Sequence, residues 1–410
     1  MTSDSIAKPC RHDSHGIPWD SLTVAAASRA YASDLTHGLY KYPARLSPPL
    51  ARALILALTK PGDVILDPFA GGGTTAVEAL FHGRRVIASD INSLACFVTL
   101  AKSWPAPRRS LRGYAAWVED AIGDLRSSAF GSIPLVTRNG DRYAPRTHAA
   151  LLHLGAKAGG LPDKAARRLA LLTTVRAGQL CFDCRSKPPT VKILQEIFAD
   201  TSRRLLEQMS VYSEACRSHT YDGGLRRALR VVQTDAEALS SCIRLKPSNP
   251  VSLILTSPPY PGVHVLYHRW QVYGRKETSL PYHLLGLQDG SFESFYTLAA
   301  RSSEDAHYFT RLTSIFSNLL PLMTSATIVA QVVGFADPAI QLPRFREAMT
   351  MAGFEEIVNP YSSDRQIERA IPHRKWYAAV TSKKTVSSEF LLLHRPSRIE
   401  RRESDREGRQ

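Results

Sequence analysis

The chain has 410 residues, 44% of them apolar, and carries 52 Lys and Arg against 37 Asp and Glu, a formal charge of +15. Such a length calls for a large domain with an insertion, or for two domains, and the basic surplus favours polyanionic partners over small neutral ligands. Six cysteines do not make a disulfide framework, and neither a signal-peptide core nor an uninterrupted apolar run of membrane-spanning length occurs, so an intracellular, cytoplasmic protein with no membrane partner is expected.

Residues 1–30 read as a flexible arm. PPLARALILAL at 48–58 has helical period, and DVILD at 63–67 is a short apolar strand ending in an acid. The glycines at 71–73 open a helix through TTAVEALFHG, with Gly83 as its stop signal, and RRVIASD at 84–90 is the next strand. A strand, glycine turn, helix and strand in that order make a parallel, right-handed unit. The pattern resumes near 229, where LRVVQTDAEAL and VSLILTSPP supply strands and YFTRLTSIFSNLL at 308–320 an amphipathic helix. ATIVAQVVGF at 326–335 is a further strand, RFREAMTMAGF a helix, and EEIVNP and KWYAAVTS two closing strands. Alternating strands and helices argue for a doubly wound α/β sheet. Residues 383–410 mix both charges with few apolar residues and are expected to form a disordered tail or frayed helix.

Residues 104–227 interrupt this alternation with segments of helical period. They hold 20 Lys and Arg against 11 Asp and Glu, a surplus of nine, with Arg167–Arg168 and Arg203–Arg204 as basic clusters. Within them lie Cys181 and Cys184 in CFDC, and Cys216 and His219 in CRSH, a spacing able to hold a structural zinc. Cys181 falls in a helical apolar pattern and neither pair has the glycines of a tight knuckle, so no metal is assigned.

The chemistry concentrates in two short stretches. In DPFAGGGTT, 67–75, glycines let the backbone approach a ligand, and Asp67 at the strand end can accept from a ligand amine or a water. Asp90, 17 residues beyond Gly73, stands where such folds place an acid on the two hydroxyls of a ribose. A nicotinamide cofactor fits poorly, because an acid ahead of the glycines repels a pyrophosphate. In TSPPY, 256–260, a buried strand runs into two prolines whose backbone cannot donate, which makes the carbonyls of Ser257 and Pro258 an oriented acceptor site. Tyr260 offers an aromatic face to a planar base.

Taken with HGLYKYPARLSPPL at 37–50, SDIN at 89–92 and QTDAEAL at 233–239, these motifs resemble the S-adenosylmethionine-dependent DNA amino-methyltransferases, particularly the cytosine-N4 type. The resemblance covers roughly 30–102 and 228–382. It implies a Rossmann-like methyltransferase sheet with a mainly helical insertion: a cofactor half at 31–103, the basic insert at 104–227 as candidate target-recognition region, and a catalytic half at 228–382. S-adenosylmethionine is the implied cofactor, with Asp67, Phe69, Gly71 and Gly73 at its methionine end, Asp90 on the ribose, Asp235 on the adenine amine, and Tyr42 and Pro43 closing the other side. Ser257, Pro258, Pro259 and Tyr260 resemble the catalytic turn.

Ser before the prolines favours cytosine N4 over adenine N6 within the family. Implied partners are double-stranded DNA and a cognate restriction endonuclease; the alternatives are an RNA methyltransferase of the same fold and a nucleic-acid-binding protein with an inactive fold. With only 28 residues after the last predicted strand, two candidates remain for target reading, the insert and the loop at 263–286 with His264, His268, Arg269, Arg275 and Lys276.

Overall fold

The computed structural model describes residues 13, 16–28, 34–42, 46–127, 129–143, 145–221, 224–245, 249–261, 269–274, 276–288, 305–335, 337–362, 365–370 and 388–397. Helices α1 (Trp19–Ala27) and α2 (Pro48–Leu58) precede β1 (Val64–Asp67), α3 (Thr74–Phe81), β2 (Arg85–Asp90) and α4 (Ser93–Ser103). The insert follows as α5 (Arg108–Ser127), a small hairpin of β3 (Leu135–Val136) and β4 (Arg142–Tyr143), α6 (Arg146–Gly159), α7 (Lys164–Phe182) and α8 (Val191–Ser218). Short α9 (Leu225–Ala228) leads to β5 (Leu229–Gln233), α10 (Leu239–Cys242) and β6 (Val251–Thr256). A second hairpin, β7 (Trp270–Val272) and β8 (Lys276–Thr278), precedes α11 (Leu280–Leu285) and α12 (Asp305–Leu319). The chain closes with β9 (Ile328–Gly334), α13 (Pro338–Met351), β10 (Phe354–Glu356), β11 (Ile367–Ala370) and β12 (Ser388–Pro396).

The main sheet has the order β10-β12-β9-β6-β1-β2-β5, with β11 paired to β12. The five strands from β9 to β5 are parallel, while β12 runs antiparallel to β9, β10 and β11. A parallel strand is covered on both faces, which is why VILD and VSLILT are near-continuous apolar runs. Their side chains still alternate. Ile65, Val86, Leu253, Leu255, Val332 and Leu391 enter one core with α1 to α4 and the insert helices, whereas Leu66, Ile87, Ile254, Val329, Val333 and Leu392 enter the other with α12 and α13. The expected doubly wound α/β sheet with a helical insertion is therefore present.

The insert shares the first core rather than building its own. Tyr212 of α8 donates through its hydroxyl to Ser103 O at 3.1 Å, and Tyr221 to Leu80 O at 2.8 Å, stitching the insert to α3 and α4. Both termini depart from expectation. In the arm, Ile17, Trp19, Leu22 and Ala26 are buried, three of them at the i, i+3, i+7 spacing of one helical face, so α1 belongs to the fold. In the expected tail, Ser388–Pro396 is a buried strand between β9 and β10, because the run FLLLH outweighs its charged flanks. The closing strand expected in KWYAAVTS lies outside the described residues. Among the described residues, no helix is long and apolar enough to cross a membrane.

Candidate active site

The carboxyl ends of β5, β2, β1 and β6 share one edge of the sheet, and the strand order reverses between β1 and β6, the place where open α/β sheets form a ligand crevice. Asp67 ends β1 and is 4% exposed. Its Oδ1 accepts from Phe69 N–H at 3.1 Å and from the Thr256 hydroxyl at 2.7 Å. Burial pushes the Asp67 carboxyl up to about 6, against hydrogen bonds from Thr256, Thr75 and Phe69 that hold it down, while the charge of Asp90 adds to the rise. Asp90 ends β2 and accepts from Gly71 N–H and Asn92 N–H, each at 2.9 Å. Burial lifts it to about 6 as well, opposed by the Asn92, Gly71 and Ile91 amides.

The glycine turn between these acids is clamped from two sides. Gly71 and Gly73 have φ of +49° and +75°, the left-handed region that glycine adopts at low cost. A Cβ on Gly73 would stand 2.9 Å from Thr99 Cα, and one on Gly72 2.7 Å from Tyr42 Cβ, so α4 and the segment ending at Tyr42 both press on it. Thr99 donates to Gly71 O at 3.2 Å and the buried Lys102 ammonium to Gly72 O at 2.6 Å, which ties the turn's carbonyls to α4. The Tyr42 ring lies over Gly71, and its hydroxyl is pushed well above the usual tyrosine range by burial and by the Asp90 charge. Pro43 lies outside the described residues. Phe69 is buried in the core beneath α12.

Asp235 comes up beside Asp90, because Thr234 N–H donates to Asp90 O at 3.1 Å. Its Oδ1 caps Glu237 N–H at 3.0 Å and its Oδ2 pairs with Arg311 of α12. The carboxylate thus enters the site with both oxygens already engaged.

The hydrogen bond from Thr256, at the end of β6, to Asp67 fixes the SPPY turn against the end of β1. Ser257 is half-buried and gives its proton to Val332 O at 2.8 Å. Pro258 is buried, and the carbonyl of Pro259 is taken by the Tyr308 hydroxyl at 2.9 Å. Tyr260 is 6% exposed, its ring against Gly334, where a Cβ would meet it at 2.8 Å. The Tyr260 hydroxyl lies 3.3 Å from Ser257 Oγ and donates to Glu389 Oε1 of β12 at 2.7 Å; Glu389 Oε2 in turn accepts from Arg369 of β11 at 3.0 Å. Thr256, Lys102, Arg311 and Glu389 were not singled out in the sequence. Thr256 had a signal in its place directly before SPPY, whereas Glu389, 129 residues beyond Tyr260, had none.

The insert packs against the described part of the loop after the turn. Lys276 of β8 donates to the Tyr143 hydroxyl at 2.6 Å, Arg138 N–H donates to Glu277 O at 2.7 Å, and the rings of Tyr143 and Tyr273 stack with centroids 3.7 Å apart. Arg269 faces Glu277 at 3.5 Å, while His264, His268 and Arg275 lie outside the described residues. The basic clusters of the insert are largely committed: Arg203 to Asp200 and Glu207, Arg204 to Asp200, Arg167 to Leu161 O, and Arg168 over the Trp104 ring. His219 Nε2 contacts Phe81 O at 2.9 Å, and Cys181 and Cys216 are buried; no cluster of three or more metal-ligating side chains occurs among the described residues.

A family model described as DNA methylase, of the N6/N4 type, matches residues 8–100. Type II methyltransferase M.MvaI of Kocuria varians is 41% identical over 95 residues, 22% of this chain and 21% of that protein. DNA adenine methyltransferase YhdJ of Escherichia coli K12 is 44% identical over 52 residues, 13% of this chain and 18% of that one. A tRNA (guanine(10)-N2)-dimethyltransferase of Methanothermobacter thermautotrophicus is 48% identical over 52 residues, 12% of this chain and 16% of that one. The chain spans about a fifth of the length of the curated relatives it matches. The matched segment, residues 8–100, holds the glycine turn and both acids at the mouth of the mainly parallel sheet, and over that segment the chain is similar to the N6/N4 DNA methylases.

Proposed function

We propose that the protein transfers a methyl group from S-adenosylmethionine to the exocyclic amine of a base extruded from double-stranded DNA, cytosine N4 ahead of adenine N6. The observation that supports this reading best is the 2.7 Å hydrogen bond from Thr256 to Asp67, which brings the turn at Ser257–Tyr260 directly beside the end of β1. When bound, the cofactor supplies an electrophilic methyl on a sulfonium. The residues fit it: two buried carboxylates held near 6 gain from a ligand that brings positive charge and hydroxyl donors, and the glycine turn leaves room for close approach. Asp67, Phe69, Gly71 and Gly73 would hold its methionine end, Asp90 the ribose, Asp235 the adenine amine beyond its cap and ion pair, and Tyr42 and Pro43 the opposite side.

Because the Ser257 proton is committed to Val332 O, its Oγ offers only lone pairs to the crevice. An exocyclic amine bound to Ser257 Oγ and the Pro258 carbonyl has its own lone pair localised and aimed, with no N–H of Pro258 or Pro259 competing. Tyr260 would hold the extruded ring, and a base can reach it only if what covers its buried ring opens. Ser rather than Asp or Asn before the prolines supports cytosine. A restriction-modification or defence setting in the cytoplasm, with a cognate endonuclease as partner, completes the proposal.

The likeness to transfer RNA methyltransferases favours one rival, an RNA substrate for the same chemistry. Labelled cofactor incubated with duplex DNA and with transfer RNA separates them. Label in DNA is expected; label in RNA alone overturns the DNA reading, and binding of nucleic acid without any transfer marks an inactive fold.

A further inference from the structure

The segment Tyr40–Tyr42 reaches the glycine turn from outside the main sheet, and two consecutive residues of insert helix α7 hold it. The Gln179 amide brackets Lys41 as a neighbouring strand would, Oε1 accepting from Lys41 N–H at 3.2 Å and Nε2 donating to Lys41 O at 2.8 Å. Arg176 donates to the same Oε1 at 2.6 Å, which sets the amide in the one orientation that serves both backbone groups. Gln179 is 6% exposed, so water does not replace these bonds readily. Beside it, Gly178 has no Cβ where one would meet the Trp270 ring at 2.8 Å. Trp270 of β7 therefore lies flush on α7, and its indole N–H reaches the buried Tyr40 hydroxyl at 3.1 Å. Two residues beyond Tyr40, directly after the bracketed Lys41, is Tyr42, pressed onto Gly71 and Gly72.

We propose that Gln179 is a positioning residue for the cofactor pocket: with Gly178 and Trp270 it makes the insert, and the hairpin after the catalytic turn, a clamp that holds Tyr42 over the glycine turn. This rests on the methyltransferase reading above. The insert is then part of the cofactor site as well as a surface for nucleic acid, and the affinity for S-adenosylmethionine depends on α7 although α7 supplies no group to the crevice.

The test is calorimetric titration of S-adenosylmethionine into the full chain and its Q179A, Q179E and G178A variants, with turnover on unmethylated duplex DNA measured at saturating cofactor. Loss of both bonds in Q179A should raise the cofactor Kd about tenfold, the effect of one to two net hydrogen bonds, while turnover at saturation stays within about twofold. Q179E keeps the acceptor for Lys41 N–H and Arg176 but turns a second acceptor toward Lys41 O, so it should weaken binding at least as much. G178A should weaken it by displacing Trp270, and it provides the readout if Q179A does not fold. Equal cofactor Kd in parent and variants overturns the clamp; a fall in saturated turnover with unchanged Kd does so too. A parent chain that binds no S-adenosylmethionine sinks the methyltransferase reading instead, so the two failures are distinct.

Discussion

Asp67 carries its charge against its own burial, and D67N isolates that conflict. The carboxyl is lifted from an unfolded-state value of 3.8 to about 6, first by desolvation and further by Asp90. A folded-state pKa above the unfolded one means that the folded protein holds the proton more tightly. The penalty is absent below about pH 4, grows between pH 4 and 6, and is complete at neutral pH, where it reaches about 3 kcal/mol. In D67N the amide oxygen still accepts from Phe69 N–H and the Thr256 hydroxyl, so the geometry survives while the charge is gone. Urea unfolding at pH 7 should therefore show D67N to be more stable than the parent by up to about 3 kcal/mol, with the difference vanishing toward pH 4. Cofactor affinity should move the other way, weak in D67N at pH 7 and falling in the parent below about pH 6 as the carboxylates are neutralised. A D67N chain no more stable than the parent at pH 7, or a difference that persists at pH 4, refutes the reasoning.

Ser257→Ala removes the side-chain acceptor for the amine and should cut turnover by about two to three orders of magnitude while leaving the cofactor Kd within error; a matching loss of cofactor affinity would remove Ser257 from the proposed role. Tyr260→Phe leaves Glu389 Oε1 without its donor in a residue 8% exposed, so denaturant titration should show a loss of about 1 to 3 kcal/mol, and no loss would mean that the contact contributes nothing. Neutralising Arg203 and Arg204, already paired to Asp200 and Glu207, should leave the salt dependence of DNA binding unchanged, whereas neutralising the exposed Arg142 and Arg146 should flatten it by about one unit of slope per lost phosphate contact; the reverse result moves the nucleic-acid surface to α8.

Local pattern alone carried the fold class. Parallel strands are apolar through their whole length and a glycine turn must sit where the backbone goes left-handed, so VILD, GGG and RVIASD were legible as one unit, and the acids at 67 and 90 with it. The insert helices over DKAARRLALLTTVRAG and VKILQEIFADTSRRLLEQM, α7 and α8, were legible from their period. What lay beyond sequence was every contact that joins distant segments. Glu389 meets Tyr260 across 129 residues and Gln179 meets Lys41 across 138, and neither residue differs in its neighbourhood from a solvated one. The tail misled because its charged flanks outnumber FLLLH, and only the sheet reveals a slot between β9 and β10 that takes a buried strand. The arm misled likewise, since a helix with three buried positions becomes stable only once α2 and the sheet are there to cover them. Tyr260 shows the division most plainly: its residue type and place in TSPPY announce chemistry, while the absence of a Cβ at Gly334 and the carboxylate of Glu389 determine that its ring lies buried. Periodicity is a property of one segment, and burial is a property of all the segments that meet at a point.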